Sequence, residues 1–248
     1  MNILLTNDDG FSSDGLSILR EYFETKKEYN IFIVAPDTEK SGYSHSITFT
    51  ELNRVIKHYD NIWIVRGTPA DCVNLALLGM IDKKIDLVIS GINHGPNMGR
   101  DTLYSGTVGA ARQGAFCNVP SMALSLNTWS GDRTRDHFDN IVPFFDKYFD
   151  LLLKYLNTDF VFNINFPNIP YKDIKGIKNT IPYHLEHYDD ELFLVDGGHL
   201  GKYYGIKWKH IFMKEDIKFD ACAIKNGFIS VSALKILPEG FDLNIDFV

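Results

Sequence analysis

Apolar segments alternate with amphipathic segments through the first 125 residues, and this alternation constrains the fold more than any other feature. Strand-like apolar runs lie at residues 2–6, 31–36, 62–65, 86–90 and 121–126. Helical patterns lie between them, at residues 15–26, at residues 68–78 and from about Thr107 onward. Thr68 and Pro69 have the residue types of an N-cap and a first helical position. Successive strand–helix units predict a doubly wound α/β core with a mainly parallel sheet.

The second half of the chain follows a less regular pattern. Residues 137–156 form an aromatic-rich helical pattern, and residues 160–167 alternate as a strand. Short strand-like runs separated by Gly, Asp and Lys follow at residues 192–195, 203–208 and 227–232, which predicts hairpins added to the core. We therefore expect a catalytic core over residues 1–175 and a C-terminal extension over residues 176–248 that contains hairpins and a returning strand.

Composition and charge exclude several functional classes. The 248 residues are 45% hydrophobic and 13% aromatic, enough for a substantial core. The formal net charge of -7 argues against binding to duplex nucleic acid, although a single nucleotide needs only a local anion pocket. No apolar run approaches the roughly 18 residues of a membrane-spanning helix, so we predict no membrane insertion.

The N-terminus and the cysteines predict the cellular compartment. The sequence opens on a strand without a charged leader or a cleavage site, which argues against secretion. Cys72, Cys117 and Cys222 lie far apart without paired spacing, so we expect small buried thiols rather than metal ligands or catalytic nucleophiles. A cytoplasmic location follows as the expectation.

Two adjacent carboxylates, Asp8 and Asp9, directly follow the first strand. Like charges side by side at the end of a buried strand repel each other and lose solvation, so a cation, hydrogen-bond donors or a shared proton is expected to compensate them. A hard divalent cation fits best because carboxylate oxygens are its natural ligands. This pair predicts a metal site.

A glycine-rich loop over residues 90–101 carries a second polar cluster. Its glycines allow tight turns, and Asn93 and Asn97 offer side-chain amides to a metal or a phosphate. A long turn whose asparagines bond their own backbone is the structural alternative.

The small-residue turn Ser105-Gly106-Thr107 opens the following helix. Unpaired N–H groups and a helix N-terminus attract an anion, with two hydroxyls beside them, so phosphate is the natural occupant. Simple capping of the helix by Ser105 or Thr107 explains the same residues equally well. The spacing is neither that of a Walker loop nor that of a dinucleotide fingerprint.

A third polar loop, residues 40–46, follows the second strand and contains Lys40, Ser41 and His45. Its hydroxyls can ligate a cation and its histidine can transfer a proton, while an exposed polar loop is the simpler reading. In doubly wound sheets the ligand crevice lies outside the carboxyl ends of the strands. All three clusters therefore fall on one edge of the predicted sheet.

These clusters together resemble the SurE family of survival-associated nucleotidases in order and spacing. The matching segments are Asn7 to Gly10, Ser41-Gly42, Gly67 to Val73, Ser90 to Asp101, Tyr104 to Val108, and more weakly Asn163 to Pro167 and Gly227 to Ser232. The resemblance implies a three-layer, Rossmann-like core and a metal-dependent phosphatase acting on nucleoside 5′- and 3′-monophosphates. It also implies a C-terminal extension exchanged between subunits of a homodimer, sometimes assembled into a homotetramer.

The resemblance assigns roles to the matching positions. It implies Asp8, Asp9, Ser41 and Asn93 as ligands of one divalent cation per subunit, Mg²⁺ or Mn²⁺. It places the phosphate among four further residues, which are Asn97, Ser105, Gly106 and Thr107. The two carboxylates are the expected catalytic groups.

Several mechanistic alternatives stay open at this point. Either a water attacks phosphorus, or Asp8 attacks it directly to form an aspartyl-phosphate. His45 and His94 are the candidate proton donors to the leaving oxygen. A non-catalytic nucleotide sensor and a phosphatase for polyphosphate or sugar phosphates are the alternative functions.

Overall fold

The computed structural model describes residues 1–132, 134–183, 190–207 and 215–237. Its strands are β1 (Asn2–Thr6), β2 (Asn30–Pro36), β3 (Arg54–Tyr59), β4 (Ile62–Arg66), β5 (Leu87–His94), β6 (Ser121–Asn127), β7 (Phe160–Pro167), β8 (Ile177–Thr180), β9 (Glu191–Asp196), β10 (Lys202–Lys207) and β11 (Ile229–Lys235). Its α-helices are α1 (Asp14–Glu24), α2 (Pro69–Leu75), α3 (Asp101–Tyr104), α4 (Gly106–Phe116), α5 (Ile141–Tyr155) and α6 (Asp220–Lys225).

Within the described ranges, nine strands form the central sheet in the order β3-β4-β2-β1-β5-β6-β7-β11-β8. The pairs from β4 through β7 are all parallel, with Leu4 of β1 opposite Phe32 on one side and Val88 on the other. Only the edges depart from this direction, because β3 pairs antiparallel with β4 and β11 pairs antiparallel with β7. The α/β class with a mainly parallel sheet is confirmed.

Helices cover both faces of this sheet, which gives the expected three layers. Ile3 and Leu5 of β1 pack in one apolar cluster with Leu19 of α1 and Phe145 of α5. Leu4, which points to the opposite face, packs in a second cluster with residues of α2 and α4. Alternate side chains of β1 therefore pack into two apolar cores, one on each face of the sheet, as a central parallel strand requires.

Local sequence signals place α2 as expected. Thr68 accepts a hydrogen bond from the Asp71 N–H at 3.0 Å, and the Asp71 carboxylate accepts one from the Thr68 N–H at 2.9 Å. These two bonds form a capping box between Thr68 and Asp71, and Pro69 is the first helical residue. The helix was expected to extend to about Leu78 as one element, whereas α2 ends at Leu75 and continues as a π-helical turn, Ala76–Met80.

The C-terminal region corrects one expectation. The run at residues 227–232 was predicted to belong to an added hairpin, but β11 lies inside the central sheet between β7 and β8. Ser230 and Ser232 are fully buried there, and both hydroxyls lie 2.8 Å from the Thr180 hydroxyl. Buried serines that both bond Thr180 imitate the alternation of a half-exposed strand, which explains the error.

The hairpin predicted from the other two runs is present as β9 and β10. They pair with each other in a separate two-stranded sheet. The chain beyond residue 175 thus contributes both to the central sheet and to this hairpin, and the division into residues 1–175 and 176–248 stays a prediction.

Among the strands and α-helices of the described residues, four short ones were not predicted from the sequence: β3, β8, α3 and α6. Most side chains of β3 are exposed at the edge of the sheet, so that strand lacks a buried apolar face. Cys72 and Cys222 are buried thiols as expected, while Cys117 is half-buried, and none of the three cysteines forms a disulfide. Among the described residues, no helix is long and apolar enough to cross a membrane.

Candidate active site

Asp8 and Asp9 lie at the carboxyl end of β1, at the edge of the sheet where the sequence placed them. Asp8 is only 3% exposed, and its Oδ1 accepts a hydrogen bond from the Thr107 hydroxyl at the start of α4. Asp9 is less buried, and its Oδ2 accepts a hydrogen bond of 3.0 Å from the His94 N–H at the end of β5. Each carboxylate is therefore fixed by a different neighbouring element.

Burial destabilises the ionised forms of Asp8 and Asp9. Loss of solvent raises the pKa of Asp8 from 3.8 to about 7, with the Asp9 charge adding to the rise and the Thr107 hydrogen bond opposing it. Burial also raises the pKa of Asp9, against the hydrogen bond from His94. Asn7, the preceding residue, has a buried Oδ1 without a hydrogen-bond partner among the described residues. Poorly solvated oxygens of this kind are the environment in which a cation is stabilising.

Asn93 lies on β5 rather than in the loop where the sequence placed it, because β5 continues to His94. The Asn93 Nδ2 donates a hydrogen bond of 2.8 Å to the Gly95 carbonyl oxygen. This bond fixes the amide orientation and leaves Oδ1 as the atom available to a cation. Since His94 binds Asp9, β5 brings Asn93 to the carboxylate pair.

Ser41 reaches the same edge through its neighbour. The Lys40 N–H donates a hydrogen bond of 2.7 Å to the Asp8 carbonyl oxygen, which fixes the start of the 40–46 loop beside β1. The Ser41 side chain is exposed, and its hydroxyl donates to the Glu39 carboxylate at 2.9 Å. The Ser41 backbone therefore lies near the carboxylate pair in the fold, while its hydroxyl is directed to Glu39.

The rest of this loop rests on α3 and α4. The Ser44 N–H donates to the Tyr104 carbonyl oxygen at 2.9 Å, and the Ser44 carbonyl oxygen lies so close to Gly109 that a Cβ there would approach it to 2.6 Å. His45 Nε2 lies 2.8 Å from Gln113 Oε1, and the ring stacks on Phe116. Burial lowers the pKa of His45. These contacts hold His45 against α4.

The turn at residues 105–107 combines capping with contact to the carboxylates. Ser105 caps α4, since its Oγ accepts a hydrogen bond of 3.0 Å from the Val108 N–H. Gly106 lies against Asp8, where a Cβ would come within 2.9 Å of Asp8 Oδ2. Capping and a ligand-binding role are therefore compatible here. The N-terminus of α4 opens beside Asp8.

Asn97 is buried and is held from two strands. Its Nδ2 donates to Ser125 Oγ at 2.9 Å, and its N–H donates to Asn165 Oδ1 at 2.8 Å. Its carbonyl oxygen accepts from Asn163 Nδ2 at 2.8 Å and from Asn165 Nδ2 at 3.1 Å. No role was predicted for Asn163 and Asn165, although two polar residues at alternate positions of a buried strand were the signal.

His94 has partners that its sequence neighbours did not suggest. Its Nε2 lies 3.1 Å from Asp136 Oδ2, and its Nδ1 lies 3.5 Å from Thr128 Oγ1. Asp136 is 42 residues away, so no local motif connects the two. The ring is therefore oriented at the edge of the site.

The donor set consists of oxygen atoms, which suits Mg²⁺ or Mn²⁺ rather than a thiophilic metal. Across the described ranges, no group of three or more His, Cys, Asp or Glu side chains is positioned to hold a metal. The candidate set does not contradict this, because only two of its members are carboxylates and the others are a hydroxyl and an amide. The residues thus fit a hard cation.

Known proteins are similar to this chain in sequence and in fold. A family model described as "Survival protein SurE" matches residues 3–188. The 5′-nucleotidase SurE of Clostridium beijerinckii is 37% identical over 240 residues, which cover 94% of this chain and 92% of the relative. The 5′-nucleotidase SurE of Mannheimia succiniciproducens is 46% identical over 178 residues, covering 72% of this chain and 70% of the relative.

Solved structures agree with the sequence relatives. The crystal structure of the SurE protein from Aquifex aeolicus superposes with a TM-score of 0.81 at 35% sequence identity, covering 98% of this chain and 95% of that chain. The sequence match and the fold match both extend over most of the molecule. This chain belongs to the SurE family.

Proposed function

We propose that this chain is a divalent-metal-dependent phosphomonoesterase that hydrolyses nucleoside 5′-monophosphates, and also 3′-monophosphates, to nucleoside and phosphate. The observation that carries the proposal is the buried Asp8–Asp9 pair beside the open N-terminus of α4. Such an arrangement offers a cation position and an anion position side by side. The printed names of the relatives, 5′-nucleotidase SurE, support the same activity.

Asp8, Asp9, Ser41 and Asn93 would hold one Mg²⁺ or Mn²⁺ per subunit. When bound, this cation supplies charge neutralisation of the phosphate oxygens and a more acidic water. Binding of Ser41 requires its hydroxyl to turn from Glu39, its partner at 2.9 Å. The short backbone contact between Lys40 and Asp8 keeps the hydroxyl within the range of a side-chain rotation.

The phosphate would be held on the side of α4. The N–H groups at the start of α4, around Gly106 and Thr107, supply hydrogen-bond donors, and the absence of a Cβ at Gly106 allows close approach beside Asp8. Asn97 keeps one amide proton beyond its bond to Ser125 for a further phosphate oxygen. Ser105 supports this turn by capping the helix.

Two routes of attack fit these residues. In the first, a water oriented by Asp9 attacks phosphorus and the bond to the ester oxygen breaks. In the second, an Asp8 oxygen forms the new bond to phosphorus as the bond to the ester oxygen breaks, and water later cleaves the aspartyl-phosphate to release phosphate and restore the carboxylate. In both, His94, held by Asp136 at 3.1 Å, would donate the proton to the leaving oxygen. Rapid-quench detection of an acyl-phosphate in a burst experiment separates the routes.

We further propose self-association through β9 and β10. The apolar side chains of this hairpin are exposed, and they include Leu192, Phe193, Leu194, Val195, Tyr203, Tyr204 and Ile206. An exposed apolar surface of this kind marks an interaction site. A homodimer would bury this apolar surface, and so would a homotetramer built from two such dimers. The location in the cytoplasm stays a prediction.

One experiment tests the proposed function. Phosphate release is measured with nucleoside monophosphates, polyphosphate and sugar phosphates, in Mg²⁺, in Mn²⁺ and in chelator, for the wild type and Asp8→Asn. Hydrolysis of nucleotides that needs both the metal and Asp8 is the expected result. Activity that survives chelation and substitution would refute the metal-dependent mechanism, whereas metal-dependent nucleotide binding without hydrolysis would identify a sensor.

A further inference from the structure

A cavity of about 620 Å³ opens beside the loop that carries Asn97. Its walls come from the segments that follow β5, β6 and β7 and from α6. Ligand pockets for small molecules commonly measure about 300–1,000 Å³ and are lined mainly by apolar side chains with a few polar groups. The cavity therefore has the size and position of a ligand site at the carboxyl edge of the sheet.

Trp129 lies at the junction between this cavity and the candidate active site. The indole packs over Gly95, where a Cβ would lie 3.3 Å from the indole Nε1. Gly95 lies between His94, which binds Asp9, and Pro96, which lines the cavity. Trp129 is 55% exposed, so much of its ring area remains accessible.

A second contact connects the same turn to the carboxylates. Thr128, the residue before Trp129, has its hydroxyl 3.5 Å from His94 Nδ1. The His94 N–H in turn donates to Asp9 Oδ2 at 3.0 Å. A ligand whose phosphate lies at Asp9 and α4 would therefore have its remaining part directed past His94 toward Trp129.

The charges in the cavity indicate which part of a substrate fits. Arg100, Lys175 and Lys225 line it together with Asp101 and Asp173. Because Arg100 is paired with Asp190 at 2.8 Å, the wall is mixed rather than basic. A polyanion such as polyphosphate needs a basic channel, whereas a neutral heteroaromatic base uses both donors and acceptors along its edges. The half-exposed indole supplies a flat apolar face for such a base.

We propose that this cavity receives the nucleoside of the substrate and that the base stacks on Trp129, which makes Trp129 a specificity-determining residue. The proposal rests on the proposed phosphatase function for its orientation of the phosphate. Purines offer a larger face to an indole than pyrimidines, so the wild type favours AMP and GMP over CMP and UMP. The cavity wall opposite the ring then limits the size of the base.

The kinetic test compares a substrate with a base and one without. We measure kcat/KM for AMP and for ribose 5-phosphate in the wild type, Trp129→Ala, Trp129→Phe and the control Tyr155→Ala, an exposed aromatic at the end of α5. Stacking on an aromatic side chain is lost in Trp129→Ala, so the ratio of the two kcat/KM values falls by about tenfold or more. Trp129→Phe retains most of the ratio, and Tyr155→Ala leaves it at the wild-type value.

A ratio that does not change in Trp129→Ala overturns the proposal, whether both activities fall together or both persist. Adenosine binding, measured by calorimetry, gives a readout that needs no catalysis. The wild type and Asp8→Asn are expected to bind adenosine, and Trp129→Ala to bind it at least about tenfold more weakly. If the wild type hydrolyses nothing but shows this pattern, the proposed function fails while the base site stands. Equal adenosine binding by Trp129→Ala and the wild type overturns the base site.

Discussion

Replacing Asp8 with asparagine is expected to stabilise the metal-free protein at neutral and alkaline pH. Asp8 is almost fully buried, so its ionised form is destabilised in the folded state and not in the unfolded chain. Asparagine has nearly the same shape and can still accept the hydrogen bond of the Thr107 hydroxyl. The substitution therefore removes a buried charge while it preserves the packing.

The size of the effect follows from the pKa of Asp8. Burial raises it from 3.8 to about 7, and each pKa unit corresponds to about 1.4 kcal/mol of folding free energy. A group whose folded pKa is raised lowers stability as the pH rises from the unfolded value to the folded one. The free energy of unfolding of the wild type should thus fall by up to about 4 kcal/mol relative to Asp8→Asn between about pH 4 and pH 7.

Urea unfolding in the presence of chelator measures this difference. The stability advantage of Asp8→Asn should be about 3 kcal/mol larger at pH 8 than at pH 4.5. Asp60→Asn serves as the matched control, because the Asp60 side chain is fully exposed, and its stability should follow the wild type at both values. Addition of Mg²⁺ at pH 8 should stabilise the wild type and leave Asp8→Asn nearly unchanged.

An advantage of Asp8→Asn that is the same at both pH values would refute this reasoning. Lower stability of Asp8→Asn than of the wild type at pH 8 without metal would refute it as well. In either case the carboxylate would be compensated by the protein itself, and the electrostatic argument for a cation at this position would fail.

Three further predictions concern residues around the site. Gly109→Ala should displace the 40–46 loop, because its Cβ would meet the Ser44 carbonyl oxygen at 2.6 Å, and a metal titration should show about tenfold weaker binding. Asp220→Ala should lower the free energy of unfolding by about 2–4 kcal/mol in urea, since the Asp220 carboxylate accepts hydrogen bonds from three backbone N–H groups, including Gly99 at 2.8 Å. Leu194→Lys on the hairpin should shift the mass measured by light scattering toward the monomer, while unchanged mass would place the subunit contact elsewhere.

The central sheet could be predicted from the sequence because its signals are local. Each parallel strand is a short apolar run buried on both faces, and α2 begins with a capping box that four consecutive residues encode. β11 could not be identified in the same way, since its membership of the sheet depends on Ser230 and Ser232 finding Thr180 about fifty residues away. Long-range hydrogen bonds of this kind leave no local pattern.

The site shows the same limit. The chain positions of Asp8 and Asp9 follow from the end of β1, and the resemblance to a family supplied the other candidate ligands. The directions of the side chains could not be predicted from the sequence. The orientation of the Ser41 hydroxyl depends on Glu39, and that of the His94 ring depends on Asp136. No role was predicted for Trp129 from the sequence, since a lone tryptophan in a polar turn belongs to no recognisable motif.

The first turns of α4 touch both halves of the candidate site. Thr107 bonds the Asp8 carboxylate, and Gly109, half a turn further, supports the loop that begins with Lys40 and Ser41. An anion that shifts the start of α4 would therefore also shift Asp8 and the 40–46 loop around the cation. A cation that shifts those groups would likewise shift the start of α4. Thermodynamic linkage makes such coupling reciprocal, so phosphate should tighten metal binding by the same factor by which metal tightens phosphate binding. Product phosphate would then bind more tightly to the metal-loaded site than to the metal-free one.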